Sequence, residues 1–344
     1  MHILIVGQGI AGTALAWALM QRGATVRVAD GDLPQASSLA AAGLINPVTG
    51  KFYTKTWRYD DFFPAARRFY AEMETALGVR VWTETRVLRL LDSPKAANDW
   101  AARMADPDYT GLVGMCGDAG AWQPLLRSTP TAVGETHGAA RVDFSLLLRA
   151  FREHLVQRGL FAPQILTPEA VLQQEADYDA VVFCEGWRSI MQPVFPNLPW
   201  QLTVGEAILI RFSQSSAASL GDVLKKNLLH IPLGDGLVWV GGTYQRWSPG
   251  EPAPEPRFAV MESELRALLR EPFEIVRLLS GIRPTVRDRR PLIGPSPTHP
   301  RFYLFNGLGT KGALLAPYWA EHLADHLLKG WPLSPEVLPS RRVG

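Results

Sequence analysis

The chain has 344 residues, 47 % of them apolar and 20 % charged, with a formal net charge of +2. That balance excludes a disordered or low-complexity chain, offers a core large enough for two domains, and lacks the basic surplus that marks a polyanion binder. Cys116 and Cys184 stand without a Cys-x-x-Cys pair or a histidine cluster, so the expectation is a reducing, cytoplasmic compartment with neither a disulfide framework nor a metal site.

An apolar run over residues 3–6 breaks into Gly7-x-Gly9-x-x-Gly12 and resumes with helical spacing at Ala14, Leu15, Ala18 and Leu19. That order predicts strand, tight turn and helix. Gly7 turns the chain, Gly9 lets backbone approach a pyrophosphate, and Gly12 lets helix and strand pack closely. The helix start offers unpaired N–H groups and a positive dipole end to an anion. A second strand over 25–29 ends at Asp30, eighteen residues after Gly12, where a dinucleotide-binding unit keeps the acid that accepts from a ribose hydroxyl. The alternative role for Asp30 is local, opening the turn Asp30-Gly31-Asp32. No lysine or arginine precedes the opening run and glycines interrupt it, so neither a signal peptide nor a membrane span is expected.

Small residues dominate the next stretch. Ser37 and Ser38 either donate to phosphate or ribitol oxygens or cap a short helix, and Gly43 is expected to leave room for a ring. Phe62, Phe69, Met73 and Leu77 recur at helical intervals before Gly78, which predicts an amphipathic helix over 59–77. Residues 79–91 alternate as a strand and open a less regular region, rich in glycine, proline and tryptophan, that runs to about residue 137. Residues 140–159 read as a helix with Asp143 as cap and Gly159 as stop. A buried strand over 179–184 runs into Glu185-Gly186-Trp187 and returns the chain to the first sheet. Residues 199–279 are β-rich, with strands over 207–212, 228–232 and 237–243 and a helix over 261–269; His230 is read there as a satisfied sheet residue.

The fold class is therefore α/β, α+β overall, with two domains interleaved in sequence. Residues 1–78, 138–198 and 280–344 form a Rossmann-like nucleotide-binding domain, and 79–137 with 199–279 an antiparallel-sheet substrate domain. A second Gly307-x-Gly309-x-x-Gly312 follows a strand near the end, but the helix over 314–328 leads to no further strand and no ribose acid. Its start suits a different electron-rich group, such as the N1–C2 carbonyl edge of a flavin.

Five motifs in order carry a resemblance: Gly7-x-Gly9-x-x-Gly12; Ser37-Ser38 through Ala42-Gly43-Leu44; the strand into Glu185-Gly186-Trp187 and Ser189; Gly281-x-Arg283-Pro284 with Asp288-x-x-Pro291-x-Ile293-Gly294; and Asn306-Gly307-x-Gly309-x-x-Gly312. Together they resemble the FAD-dependent D-amino-acid oxidase superfamily, which includes glycine and sarcosine oxidases. The segments 46–51 and 306–317 are most similar to the oxidase domain of the bifunctional tRNA wobble-uridine modification enzymes and its stand-alone bacterial relatives. The resemblance implies FAD, held by Gly7, Gly9, Ile10, Ala11, Gly12, Asp30, Ser37, Ser38, Gly43, Leu44, Val171, Glu185, Gly186, Trp187, Asn306, Gly307, Leu308, Gly309, Thr310, Lys311 and Gly312, with Arg283 between cofactor and substrate.

The implied reaction is hydride transfer from the carbon beside an amine nitrogen to flavin N5, followed by imine hydrolysis and electron transfer to oxygen or another acceptor. Arg283 matches the family's carboxylate-holding arginine, a task guanidinium geometry suits; the alternative is an ion pair with Asp288. Lys311 matches a lysine that contacts the carboxylate in sarcosine-oxidase-like members, the alternative being a solvated surface lysine. Tyr244 is placed at the substrate pocket and Lys51 facing the ring. Sarcosine-type members tether FAD through a cysteine near the flavin, but neither Cys116 nor Cys184 lies in such a motif, so FAD is expected to be non-covalent. The expected substrate is a small amine or amino acid. The other readings are a carboxymethylamino group on tRNA wobble uridine, for which the net charge offers no support, and a non-catalytic FAD- or NAD-binding sensor.

Overall fold

The computed structural model describes residues 1–33, 35–212 and 220–341. The opening apolar run forms β1 (His2–Val6) and the next β-branched run β2 (Thr25–Ala29). With β9 (Phe161–Ala162), β10 (Ala180–Phe183), β17 (Leu292–Pro295) and β18 (Phe302–Asn306) they make a six-stranded sheet, ordered β17-β18-β10-β1-β2-β9. All neighbours are parallel except β17 and β18. Parallel strands covered on both faces read as unbroken apolar runs, as in residues 3–6. Ile3 and Ile5 face a core built with α1 (Ile10–Gln21), α3 (Tyr59–Leu77), α5 (Phe144–Gln157) and α8 (Gly312–Lys329), through Leu15, Phe69, Phe151 and Leu323. Leu4 and Val6 face the opposite layer with Phe183, Phe195 and Val171, the last from α6 (Pro168–Gln173).

The second sheet has ten strands. They are β3 (Leu44–Ile45), β6 (Trp82–Leu91), β7 (Val113–Cys116), β8 (Ala132–Val142), β11 (Thr203–Phe212), β12 (Val223–Lys225), β13 (Leu229–Gly234), β14 (Leu237–Gly241), β15 (Gln245–Arg246) and β16 (Phe273–Arg283). Their order is β15-β11-β14-β13-β12-β6-β8-β3, with β16 on β11 and β7 on β8. All pairs are antiparallel except β12 with β6. One face packs Leu88, Ile208 and Leu224 against Met261 and Leu265 of α7 (Phe258–Leu268). The other presents Val87, Ala207, Val223, Ile231 and Trp239. This second face turns toward the first sheet: Trp239 Nε1 donates to the carbonyl of Ala40, at the end of α2 (Ser37–Ala40), at 3.0 Å, and the Ile282 N–H donates to Gln35 O at 3.0 Å. A hairpin of β4 (Val48–Thr49) and β5 (Thr54–Lys55) stands beside it.

Three local expectations change. The helix read over 140–159 begins only at Phe144, because residues 140–142 finish β8 against β3 and β6; Asp143 does cap it, accepting from Leu146 N at 3.0 Å. The region read as irregular holds α4 (Pro94–Met104) as well as β7 and most of β8, and Ser93 caps α4 by accepting from Ala96 N at 3.2 Å. His230 is not fully satisfied: it is buried, its Nδ1 has no partner among the described residues, and burial lowers its pKa to about 4, which keeps it neutral. Among the described residues no helix is long and apolar enough to cross a membrane.

Candidate active site

In an open parallel sheet the ligand binds outside the carboxyl ends of the strands. Here the ends of β2, β1, β10 and β18 deliver Asp30, residues 7–12, residues 184–187 and residues 306–312 in that spatial order. Three strand spacings make the line about 14 Å long. Gly7 has φ +100°, and a Cβ on it would fall 2.6 Å from Cys184 O; a Cβ on Gly12 would fall 1.9 Å from Gly7 O. The turn and the close packing thus both exclude side chains. Neither α1 nor α8 has an acid in its first turn or a side-chain cap at its N-cap residue, so the first N–H groups of both remain to be satisfied from outside.

Ser38 partly meets that need, its Oγ accepting from Ile10 N at 3.2 Å, with Ala11 in the same turn and Ser37 packed toward Gly281. Asp30 bridges the glycine loop and its own turn. It accepts from Gln8 N in the glycine loop and from Asp32 N at 2.8 Å in its own turn, with Arg152 at 3.6 Å. Two carboxylate oxygens offer about four lone-pair sites, which leaves capacity for a ribose hydroxyl.

The β10 and β18 loops are tied together by Asn306, whose Nδ2 donates to Gly186 O at 2.8 Å and Ser189 Oγ at 2.7 Å while its Oδ1 accepts from Gly307 N at 2.8 Å. Gly307 and Gly309 both have positive φ; Leu308 between them is buried and Thr310 is exposed. Gly312 abuts Ile10, where an added Cβ would meet Ile10 Cγ2 at 3.0 Å, so the starts of the two glycine-led helices touch. Glu185 is buried and accepts from Gln192 Nε2 at 2.6 Å; burial pushes its pKa up to about 7. The indole Nε1 of Trp187 is buried without a partner among the described residues, its ring edge-on to Trp247 at 6.0 Å.

Val171 and Gly43, both expected at the cofactor, serve the packing of the chain on itself. The side chain of Val171 is enclosed in the core and its N–H donates to Thr167 O at 3.0 Å. At Gly43, φ is +70° and a Cβ would fall 1.9 Å from Val142 O, so the close approach of β3 to β8, not space for a ring, requires glycine. Leu44 beside it packs on the face of Trp239.

Arg283 closes β16, in register with Thr203, while Gly281 pairs with Gly205. Its Nη1 donates to Thr243 O at 2.9 Å, and the guanidinium lies over two glycines: a Cβ on Gly205 or Gly242 would fall 2.0 or 2.9 Å from Nη2. Asp288 pairs instead with Arg341 at 2.8 Å, and among the described residues Arg283 makes no ion pair. Burial holds its pKa below the usual arginine value. Tyr244, exposed, stands close enough to act on that charge. A residue missed from the sequence fixes this corner. Glu206, buried, accepts from Thr243 Oγ1 at 3.1 Å, Gln245 Nε2 at 3.4 Å and Arg257 N at 3.1 Å. An acid opening the apolar run Ala207-Ile-Leu-Ile was the available signal.

Lys311 is not a solvated lysine. Its Nζ donates to Thr56 Oγ1 at 3.1 Å, Thr56 donates in turn to Asn46 O at 3.0 Å, and burial lowers the lysine pKa to about 8. Lys51, expected to face a ring of the cofactor, is instead exposed at the β4–β5 turn with its ammonium 4.7 Å from the centre of the Phe52 ring.

A row of side-chain-free turns, two helix starts with N–H groups to spare and an indole N–H unpartnered among the described residues fit an extended anionic dinucleotide with a polar ring at one end. A family model described as FAD dependent oxidoreductase matches residues 2–326. The chain belongs to that family. As an FAD-dependent oxidoreductase it is 24 % identical over 360 residues to glycine oxidase of Pseudomonas aeruginosa, covering 94 % of each chain. It is 28 % identical to the bifunctional protein MnmC of tRNA 5-methylaminomethyl-2-thiouridine biosynthesis from Thiobacillus denitrificans, matched along 100 % of this chain and 60 % of that one. Among solved structures, glycine oxidase from Geobacillus kaustophilus superposes with a TM-score of 0.79 at 18 % identity over 99 % of both chains. Iminodiacetate oxidase from Chelativorans sp. BNC1 superposes with a TM-score of 0.74 at 21 % identity over 96 % of both. The Rossmann-type fold of the oxidoreductase is thereby shared along nearly its whole length.

Proposed function

We propose that this oxidoreductase oxidises the C–N bond of a small amine or amino acid that bears a carboxylate, in the cytoplasm. The observation that carries the reading is Arg283, a desolvated guanidinium with no acid partner among the described residues, laid over two glycines. A buried cation left unpaired is costly, and a carboxylate taking two parallel N–H bonds offsets that cost. The relatives named glycine oxidase and iminodiacetate oxidase support the substrate class. Cys116 and Cys184, both free, support a reducing compartment.

On this reading Gly7, Gly9, Ile10, Ala11 and Gly12 hold the pyrophosphate, Asp30 a ribose hydroxyl, and the loop of Asn306, Gly307, Leu308, Gly309, Thr310 and Gly312 the ring. When bound, FAD supplies the hydride acceptor for the carbon beside the amine nitrogen. Arg283 fixes the carboxylate and so presents one C–H bond in one orientation, which is most of what the protein must contribute. Tyr244 closes the exposed side. Below pH 8 Lys311 adds a positive charge to the start of α8, where negative charge on the ring is stabilised.

Anaerobic bleaching of the flavin by glycine, sarcosine, D-amino acids and proline tests the class. Arg283→Ala should raise KM for any carboxylate substrate about 100-fold, the worth of roughly 3 kcal/mol of charged hydrogen bonding, with FAD content unchanged. An unchanged KM would remove Arg283 from the substrate.

A further inference from the structure

Thr243 supplies the carbonyl that receives Arg283, and among the described residues each of its hydrogen bonds goes either to Arg283 or to Glu206. It lies in the short link between β14 and β15, directly after Gly241 and Gly242. Its N–H donates to Glu206 O at 3.2 Å, and its Oγ1 accepts from Glu206 N at 2.9 Å while donating to Glu206 Oε2 at 3.1 Å. The same Oε2 accepts from Gln245 Nε2 at 3.4 Å and from the N–H of Arg257, at the start of α7, at 3.1 Å. Tyr244 thus stands between two residues gripped by one carboxylate oxygen.

Glu206 does this from the rear of the sheet. Ala207 belongs to the face of Trp239 and Ile208 to the face covered by α7, so alternation along β11 puts Gly205 with Ala207 and Glu206 with Ile208. Arg283 lies over Gly205, on the face of Trp239. Thr243 joins the two faces, its hydroxyl held by Glu206 and its carbonyl by Arg283. A carboxylate only 3 % exposed, with no ion pair among the described residues, is a costly way to hold a sheet. The next residues on that face, Ile208 and Ile210, pack with α7 through apolar side chains, and a third would fill the place without desolvating a charge. What it would not supply is an acceptor for the three donors that converge there from the link, β15 and α7.

We propose that Glu206 is a positioning residue for substrate binding: through Thr243 it holds the Arg283 guanidinium and the neighbouring Tyr244 in the arrangement that selects a carboxylate. The proposal rests on Arg283 as the carboxylate anchor. Loss of the Glu206 grip displaces the Thr243 carbonyl and frees the guanidinium to adopt other rotamers, which weakens a two-point hold on a carboxylate. The cofactor loops on the other sheet are untouched by this change.

The test compares acetate with acetamide, its neutral isostere, in equilibrium binding to the FAD-loaded enzyme, read by calorimetry and by perturbation of the flavin absorbance. The wild type should bind acetate at least about tenfold tighter, through charge-assisted hydrogen bonds that acetamide lacks. Glu206→Ala and Thr243→Val should each bring that ratio toward one with FAD content unchanged. The two together should do no more than either alone, because both break one chain of contacts. Glu206→Gln keeps an acceptor and Thr243→Ser the hydroxyl, so both should preserve the preference. A change that merely loosened the sheet would instead lower Tm and weaken both probes alike. If Glu206→Ala does not fold, Thr243→Val decides. A ratio unmoved by Thr243→Val, additive effects of the pair, or Glu206→Gln behaving as Glu206→Ala would overturn the role of Glu206. Arg283→Ala separates the two readings: if it leaves the wild-type ratio intact, or if the wild type shows no preference or binds neither probe, the anchor fails and the positioning role with it. If Arg283→Ala abolishes the preference while Thr243→Val keeps it, the anchor stands and only the positioning role falls.

Discussion

Glu185 shows how much one side chain at the cleft depends on its surroundings. Its pKa is raised from 4.5 to about 7, chiefly by burial, with Gln192 and Arg188 pulling the other way. A carboxyl whose folded pKa lies above its unfolded one stabilises the fold fully below pH 4.5 and loses that contribution as pH rises through 7. The shift corresponds to roughly 3 kcal/mol. Glu185→Gln keeps an oxygen for Gln192 Nε2 and cannot ionise, so its urea midpoint should exceed that of the wild type at pH 8 and converge on it toward pH 5. Parallel midpoints across that range would place the Glu185 carboxyl in water. At this scale candidates were readable from the sequence, but their partners were not. Arg283 and Lys311 stood out as residue types, yet Thr56, which receives Lys311, lies 255 residues earlier, and Asp288, the near neighbour offered to Arg283, goes to Arg341.

At the scale of elements, β11 and β16 build the anchor jointly. Their register sets Gly205 opposite Gly281 and Thr203 opposite Arg283, so the guanidinium lies back across its neighbour only because position 205 has no side chain. A methyl group there would sit 2.0 Å from Nη2, and the flexible end of the arginine, not the strand, would give way. Gly205→Ala should therefore stay folded and keep FAD while raising KM for carboxylate substrates about tenfold or more, a split between KM and flavin content that a collapsed sheet would not produce. Elements with a local signal were legible: α3 from its period, β1 and β10 from apolar runs, α5 from its Asp143 cap. The Ser93-Pro94 pair that starts α4 is a comparable cap signal, masked by the glycine and tryptophan around it. The continuation of β8 through residues 140–142 depends on β3, almost a hundred residues earlier, and no local pattern reports such a pairing.

For the whole molecule, the last helix closes what the first residues open. α8 packs on α1 and α3 in the largest core, Arg22 pairs with Asp325 at 2.9 Å, and Gly312 touches Ile10, so the first and last helices meet where the two glycine loops meet. A ligand spanning loops drawn from so many parts of the sequence binds the folded chain and has no counterpart in the unfolded one. Folding and FAD are thereby linked by mass action: at a free FAD concentration of 100 Kd the gain is about 2.7 kcal/mol, and Tm should climb with added FAD. That linkage requires the cofactor to be free to leave. Cys184, directly after β10, is 4 % exposed, its thiol pushed up by burial, and Cys116 lies on β7, which pairs with β8 in the other sheet. The Cys184 side chain is enclosed in the core with Ile5 and Val182, and Cys116 lies in the other sheet, so acid precipitation should release all of the yellow colour into the supernatant, and the apo-protein should recover its full Tm on adding FAD. Colour retained on the precipitated chain, or a Tm indifferent to FAD, would require a covalent tether to the chain.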